Sequence, residues 1–194
     1  MTKQEVIDYY ESAGHESEVA KILTQAKQVI DSMEVSGNLA VVLDIDETSL
    51  NHYKALKEYD FPQGDNHKVW NECIFKTSGE PIKATLDFYR YCLAKGMKIF
   101  FVSARVADSI GATKSALNSA GYTQFENVFV FPKEITNYDP KQFTNFKAER
   151  RAYIESLGFK IVLSLGDQSS DLSGGYTQHT FQLPNYLYGD NSVF

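Results

Sequence analysis

The stretch NLAVVLDIDET, residues 38–48, decides the fold of this chain. Its apolar part, Leu39–Leu43, is a short run rich in β-branched residues, which predicts a strand buried on both faces of a parallel sheet. Asp44 and Asp46 follow it at once, where the carboxyl end of such a strand forms ligand sites in open α/β sheets. Because two carboxylates this close repel each other, they indicate a divalent cation, a shared proton, or both.

Apolar runs alternate with segments of helical periodicity along the rest of the chain. Residues 2–33 have helical periodicity broken at Gly14, which predicts a helical hairpin. We predict further strands at 97–103, 127–131, 160–165 and 180–183, helices at 50–61, 81–93, 108–120 and 145–157, and a polar loop at 132–144. Strands that alternate with helices indicate an α/β fold with a doubly wound, mostly parallel sheet.

The 194 residues fit a single domain, 1–194, with two additions to the repeated α/β pattern. The first is an N-terminal helical region, residues 1–36. The second is a small cap-like insertion, residues 49–79, in which the pattern is irregular. Because this insertion follows the carboxyl end of the first strand, we expect it to overhang the site and to influence specificity.

Composition excludes some functions and leaves others open. The net charge of −6 argues against a nucleic-acid partner, since no basic stripe is available to meet phosphates. The N-terminus lacks the apolar segment of a signal peptide, and no apolar run is long enough to span a bilayer. Cys73 and Cys92 form no CxxC pair, so a disulfide between them and the redox compartment both stay open.

Polar side chains also mark the ends of later elements. Ser103 closes the second predicted strand, with Arg105 beside it, and Lys147 lies in the first turn of the predicted helix before the fourth strand. Asp167 and Asp171 follow the fourth strand in the segment GDQSSD. Each signal alone is weak, because strand-terminal serines, helix lysines and acidic turns are common. Their order and their placement together with Asp44 indicate a site at the carboxyl edge of the sheet.

These four segments resemble the four ordered motifs of the haloacid dehalogenase superfamily of phosphohydrolases. Within it, the chain is similar to acid phosphatases of the bacterial class B and class C type and to plant vegetative storage proteins. The likeness rests on DIDET, Trp70, FYRYCLAKGMKIFFVSAR and the late segment FQLPN. The stretch SLNHYKAL, residues 49–56, departs from the class C pattern, which usually has Asp-Asn and a later Tyr there.

The resemblance implies a covalent mechanism. Asp44 matches the first aspartate of the motif and would attack phosphorus to form an aspartyl-phosphate. Asp46 would protonate the leaving oxygen and later accept a proton from the attacking water, a role that contributes on the order of 10²–10⁴-fold. An acid that becomes a base in this way fits a mildly acidic optimum.

The resemblance also implies a magnesium site and a phosphate site. Mg²⁺ would be held by Asp44, the main-chain carbonyl of Asp46, and Asp167, with Asp171 orienting groups in the outer shell. Ser103 and Lys147 would bind the non-bridging phosphate oxygens, Lys147 as a point charge.

We therefore expect a magnesium-dependent acid phosphatase that acts on small phosphate monoesters, with nucleoside monophosphates favoured by the resemblance. A secreted or periplasmic location follows from the same resemblance, and a homodimer stays open. The main alternative is a catalytically weak storage or binding protein on the same fold. A signalling receiver domain is less well matched, because a receiver does not need the late acids of GDQSSD. A dehalogenase or phosphomutase is also less well matched, because Asp46 favours transfer of the phosphoryl group to water.

Two further sets of residues receive a structural interpretation. Four aromatic residues either line a slot for a base or phenyl group or close the core of the insertion: Trp70, Phe61, Tyr53 and Tyr138. The four histidines lack metal-ligand spacing and are expected at the surface, and Arg105 and Arg150 are expected in structural ion pairs.

Overall fold

The first strand occupies the centre of the structure, a computed structural model that describes residues 1–34, 37–62, 79–132 and 139–194. The described helices are α1 Lys3–Glu11, α2 Gly14–Asp31, α3 Tyr53–Glu58, α4 Lys83–Ala94, α5 Ile110–Ser119, α6 Pro140–Ser156 and α7 Ser169–Leu172. The described strands are β1 Leu39–Leu43, β2 Leu50–Asn51, β3 Glu80–Pro81, β4 Lys98–Val106, β5 Asn127–Phe131, β6 Lys160–Gly166 and β7 His179–Gln182. Short 3₁₀ turns cover Ala107–Ser109 and Gly189–Asn191.

Five strands form one parallel sheet in the order β5-β4-β1-β6-β7. The central strand β1 pairs with β4 and β6, so that Leu43 lies opposite Phe101 on one side and Leu165 on the other. This confirms the predicted α/β fold with a mostly parallel sheet. Because the strands run parallel, the residues after β1 and β6 emerge at the same edge of the sheet.

Both faces of β1 are buried, in alternation along the strand. Leu39, Val41 and Leu43 belong to a core that also contains apolar residues of α2, α4 and α5. Ala40 and Val42 belong to a second core that α6 covers. This period of two matches strand geometry and explains why the sequence shows a continuous apolar run. Each valine or leucine buried in this way stabilises the fold by about 1.5–3 kcal/mol.

The segment around Pro81 differs from the prediction. Pro81 lies in β3, which pairs antiparallel with β2, whereas we expected it in the first turn of a helix. Leu50, expected in a helix, is its partner in β2. Helix α4 begins at Lys83, where the Glu16 carboxylate accepts hydrogen bonds from the main-chain N–H groups of Lys83 and Ala84 at 2.9 and 3.1 Å. This cap comes from α2, and local sequence cannot reveal it.

Two other boundaries also differ. Helix α6 begins at Pro140, after Asp139 caps it, so the polar loop predicted at 132–144 is too long and Lys147 lies in the third turn of the helix instead of the first. Strand β4 extends past Ser103 to Val106. The predicted helix at 108–120 consists of the 3₁₀ turn and α5.

A third cluster joins the two ends of the chain. The rings of Tyr10 and Tyr53 stack with their centroids 5.0 Å apart, and those of Phe61 and Phe194 at 4.7 Å. Tyr53 and Phe61 are therefore core residues of this cluster. Trp70 and Tyr138 lie outside the described residues, as does most of the predicted insertion, 49–79, so its overhang of the site stays a prediction.

Two remaining sequence observations concern cysteines and membrane spans. Cys92 is a buried free cysteine on α4, and Cys73 lies outside the described residues.

In the part of the chain that the structure describes, no helix combines the length and the apolar character that crossing a bilayer requires.

Candidate active site

The loop after β1 is folded tightly by its own main chain. The N–H groups of Ser49 and Leu50 both donate to the Ile45 carbonyl at 2.8 Å, and the Glu47 N–H donates to the Leu50 carbonyl at 2.7 Å. The Ser49 hydroxyl donates to the Asp44 carbonyl at 2.7 Å. Closing this turn places Glu47 at φ 53°, a left-handed conformation that is uncommon for a residue with a Cβ. The loop therefore fixes where its acidic side chains lie.

Three buried carboxylates meet at the carboxyl edge of the sheet. Oxygen atoms of Asp44, Asp167 and Asp171 lie within 4.8 Å of one another. Lys147 reaches this cluster from α6, with its Nζ 3.3 Å from Asp44 Oδ2 and in contact with Asp171 Oδ1. Asp44 Oδ1 is buried and has no hydrogen-bond partner among the described residues. Lys147 pairs with two of the three acids, which leaves the cluster with excess negative charge, so the donor set fits a divalent cation.

Burial governs the protonation of this cluster. It raises the pKa of Asp44 well above its ordinary value, and the charge of Asp171 adds to the effect. Burial and Asp171 likewise raise the pKa of Asp167 to about 7, against hydrogen bonds from Asn185 and Gln168 that lower it. Burial lowers the pKa of Lys147, but the charges of Asp171 and Asp44 outweigh burial and raise it. Without a cation, the cluster therefore holds protons at a pH at which exposed aspartates have lost them.

Asp167 is held by side chains from three segments. Its Oδ1 accepts a hydrogen bond from the Thr48 hydroxyl at 3.1 Å, and its Oδ2 accepts from Asn185 Nδ2 at 2.8 Å and from Gln168 Nε2. Sequence reasoning did not assign a role to Asn185, although the segment FQLPN that contains it was recognised as a family feature. These contacts fix Asp167 in one orientation toward Asp44.

Asp171 faces Lys147 because short-range contacts hold its side chain. Its Oδ2 accepts from the main-chain N–H of Gln168 at 2.9 Å, and its main-chain carbonyl accepts from Arg151 Nη1 at 2.7 Å. One oxygen of Asp171 contacts Lys147 and the other caps α7, and its orienting role stays a prediction.

The close packing of Asp171 on Gly166 leads to a testable expectation. A Cβ at Gly166 would lie 2.2 Å from both Cβ and Cγ of Asp171. We expect Gly166→Ala to displace Asp171 and to lower the free energy of unfolding by about 1–3 kcal/mol, measured by urea denaturation. Gly111→Ala is the control, because no atom lies within 4 Å of its added Cβ and its stability should change by less than about 1 kcal/mol. Equal stability in the two variants would contradict the packing argument.

Asp46 is held apart from this cluster by an ion pair. Arg105 Nε lies 3.1 and 3.0 Å from the two carboxylate oxygens of Asp46, and Arg105 Nη2 lies 2.7 Å from Oδ1. Burial raises the pKa of Asp46, but the charge and hydrogen bonds of Arg105, with smaller contributions from His52 and Lys147, bring it below its ordinary value. The ion pair expected for Arg105 therefore involves a proposed catalytic residue.

Ser103 and the histidines complete the comparison with the predicted site. Ser103 is buried on β4, and its hydroxyl accepts a hydrogen bond from the Arg105 N–H at 3.2 Å. The prediction that the histidines lie at the surface is wrong for His15 and His52, which are both buried. It is right for His179, and His67 lies outside the described residues.

Comparisons with known proteins show the family to which this chain belongs. The model of the HAD superfamily, subfamily IIIB (acid phosphatase), matches residues 1–191. The structure is similar to that of the class C acid phosphatase from Bacillus anthracis, with a TM-score of 0.72 and 25% identity, over 94% of this chain and 83% of that one.

Plant proteins are also similar to this chain. Stem 28 kDa glycoprotein of Glycine max is 28% identical over 184 residues, which cover 93% of this chain and 72% of that protein. Acid phosphatase 1 of Solanum lycopersicum is 26% identical over 188 residues, which cover 94% of this chain and 72% of that protein.

Proposed function

This chain belongs to the HAD superfamily, subfamily IIIB (acid phosphatase), and on that premise we propose that it hydrolyses phosphate monoesters through an aspartyl-phosphate formed on Asp44 with Mg²⁺ bound beside it. One observation carries the proposal. Asp44 lies in the acidic cluster with Asp167 and Asp171, its buried Oδ1 has no partner among the described residues, and its Oδ2 lies 3.3 Å from Lys147 Nζ.

In the first step, an Asp44 oxygen attacks phosphorus and the ester bond to the leaving oxygen breaks. Lys147 binds a non-bridging oxygen, and Ser103 is proposed to add a second hydrogen bond, so that charge on the phosphoryl group is balanced. Asp46 gives its proton to the leaving oxygen. A phosphate dianion beside Asp46 raises the pKa of that carboxyl, opposing the effect of Arg105, and makes the proton available.

In the second step, water attacks the aspartyl-phosphate. Asp46, now ionised, takes a proton from the water, and the bond between phosphorus and the Asp44 oxygen breaks to release phosphate. The ion pair with Arg105 favours the ionised form of Asp46, which is the form that this step needs. The two steps return Asp44 and Asp46 to their starting states.

The metal would be held by Asp44, the main-chain carbonyl of Asp46, and Asp167, with Asp171 orienting Lys147. When bound, Mg²⁺ supplies positive charge that offsets the repulsion between the phosphate dianion and these carboxylates. Thr48 and Asn185 keep Asp167 in place for this role.

Magnesium affinity should depend on pH in a defined direction. The pKa of Asp167 is raised to about 7, and metal ligands must lose their protons to bind. We expect the apparent Mg²⁺ affinity to fall about tenfold for each pH unit below 7, per proton displaced. Isothermal titration calorimetry at several pH values in two buffers measures both the affinity and the proton release. An affinity that stays constant from pH 5 to pH 8 would contradict this expectation, and Asp167→Asn should remove the saturable heat.

The activity itself is tested with p-nitrophenyl phosphate and a panel of nucleoside monophosphates. We expect Mg²⁺-dependent release of phosphate that EDTA abolishes and added Mg²⁺ restores. Nucleoside monophosphates are proposed as preferred substrates, and their kcat/KM relative to p-nitrophenyl phosphate measures that preference. Full activity after exhaustive EDTA treatment would contradict the metal requirement.

A storage or binding protein is the second candidate, since vegetative storage proteins 1 and 2 of Arabidopsis thaliana are 26% identical to this chain over 76% of it. The intact Asp44, Asp46, Lys147 and Asp167 favour catalysis over this candidate, because a storage role needs none of these buried charges. Failure to hydrolyse the whole panel in the presence of Mg²⁺ would favour storage.

A further inference from the structure

Three buried side chains form a chain of contacts that ends on the proposed general acid. We propose that Glu47 and His52 are positioning residues that hold Arg105, and through Arg105 the Asp46 carboxylate, in the orientation for proton transfer. The inference rests on the proposed function of Asp46. His52 lies in SLNHYKAL, the stretch in which this chain departs from the class C pattern, whereas Glu47 belongs to DIDET.

Glu47 fixes the ring of His52. Its Oε1 accepts from the main-chain N–H of His52 at 3.0 Å and lies 3.0 Å from His52 Nδ1. Because a carboxylate oxygen accepts hydrogen bonds, this contact places a ring proton on Nδ1 and fixes the orientation of the ring. Glu47 has no exposed surface and adopts φ 53°. This uncommon backbone conformation places the carboxylate against the His52 ring.

His52 in turn faces the ion pair. Its Nε2 lies 3.5 Å from Arg105 Nη2 and 3.5 Å from Asp46 Oδ1. At these distances the ring lies against the Arg105–Asp46 ion pair and limits the rotation of both side chains. On the opposite edge, Arg105 Nη1 donates to the Thr113 hydroxyl at 3.3 Å. The guanidinium is therefore held on both edges while its Nε and Nη2 hold Asp46.

Orientation matters here because proton transfer requires close contact with the leaving oxygen. A displacement of about 1 Å at a reacting group can cost about 100-fold in rate. An arginine free to rotate would carry Asp46 with it. The Glu47–His52 pair thus acts on proton transfer by Asp46.

The test compares two substrates that differ in leaving group. p-Nitrophenyl phosphate needs little protonation of its leaving oxygen, whereas glycerol phosphate needs a general acid. We expect His52→Leu and Glu47→Gln to lower kcat/KM about tenfold more for glycerol phosphate than for p-nitrophenyl phosphate, because kcat/KM reports transfer to Asp44 and not the hydrolysis step that both substrates share. Asp46→Asn should show the same pattern with a larger loss. Because His52 acts through Asp46, the double variant Asp46→Asn/His52→Leu should be no slower than Asp46→Asn alone.

Matched variants separate the possible outcomes. Thr85→Val removes a buried hydroxyl of α4 and should leave the activity toward both substrates unchanged. His52→Asn, which keeps a polar side chain, replaces His52→Leu if that variant is unstable. Equal losses for both substrates, or a double variant in which the losses multiply, would overturn the inference. If Asp46→Asn itself shows no dependence on the leaving group, the general-acid assignment of the proposed function fails instead.

Discussion

Replacing Asp44 with asparagine is expected to lower kcat/KM for p-nitrophenyl phosphate by at least about 10⁴-fold, because an amide cannot form the aspartyl-phosphate. The fold should survive. Burial raises the pKa of Asp44, so the metal-free protein already accommodates an uncharged group at this position. Steady-state kinetics with Mg²⁺ and the melting temperature of the same sample measure the two effects.

The control for this variant is Asp87→Asn, which makes the same chemical change at a partly exposed position on α4. Its activity should equal that of the unaltered protein. Robust turnover by Asp44→Asn would show that Asp44 is not the nucleophile. Asp44→Ala is a second variant, because asparagine can deamidate to aspartate and alanine cannot.

Replacing Lys147 with methionine is expected to produce the largest loss of stability. It leaves Asp44 and Asp171 buried without their common partner, and removing one member of a buried ion pair costs about 3–5 kcal/mol. Urea denaturation in EDTA measures the change. The double variant Lys147→Met/Asp171→Asn should recover much of the stability but none of the activity, since the phosphate-binding charge is still missing.

The cost of losing Lys147 should also depend on pH. Because the pKa values of Asp44 and Asp167 are raised, the latter to about 7, both acids bind protons in the folded state as the pH falls and so relieve the uncompensated charge. The loss should therefore be larger at pH 8 than at pH 5.5. Lys114→Met, on the exposed face of α5, should change stability by less than about 0.5 kcal/mol at either pH. An equal effect at both positions would contradict the ion-pair account.

The family and the likeness to a class C acid phosphatase assign the chain as a phosphomonoesterase of the acid-phosphatase type. The sequence sufficed for this assignment because Asp44 and Asp167 directly follow buried strands. Uninterrupted apolar runs such as Leu39–Leu43 predict a buried strand. Parallel pairing of β1 and β6 then brings together the residues that follow these two strands.

Boundaries that depend on distant partners were harder to predict. The start of α4 is set by Glu16 on another helix, and Pro81 was misplaced because a proline before a helical pattern usually occupies its first turn. The start of α6 could have been predicted from the local sequence. Asp139 is a favourable N-cap residue, and Pro140 is favoured at the first position of a helix. Burial of His52 could not be foreseen, because it follows from the conformation of Glu47 and from the position of Arg105. The homodimer and the secreted or periplasmic location stay predictions.

The central claim, a phosphoryl group carried on Asp44, is tested most directly by trapping it. In Asp46→Asn, p-nitrophenyl phosphate should still phosphorylate the protein, since its leaving group needs little acid, while hydrolysis should be slow without the base. The reaction is quenched in denaturant, and borohydride then reduces the acyl phosphate. This converts the phosphorylated aspartate to homoserine, which peptide mass spectrometry locates. We predict homoserine at position 44 only in the presence of substrate and Mg²⁺. Homoserine at another position, or none at a time when p-nitrophenol has been released in a burst, would contradict the account.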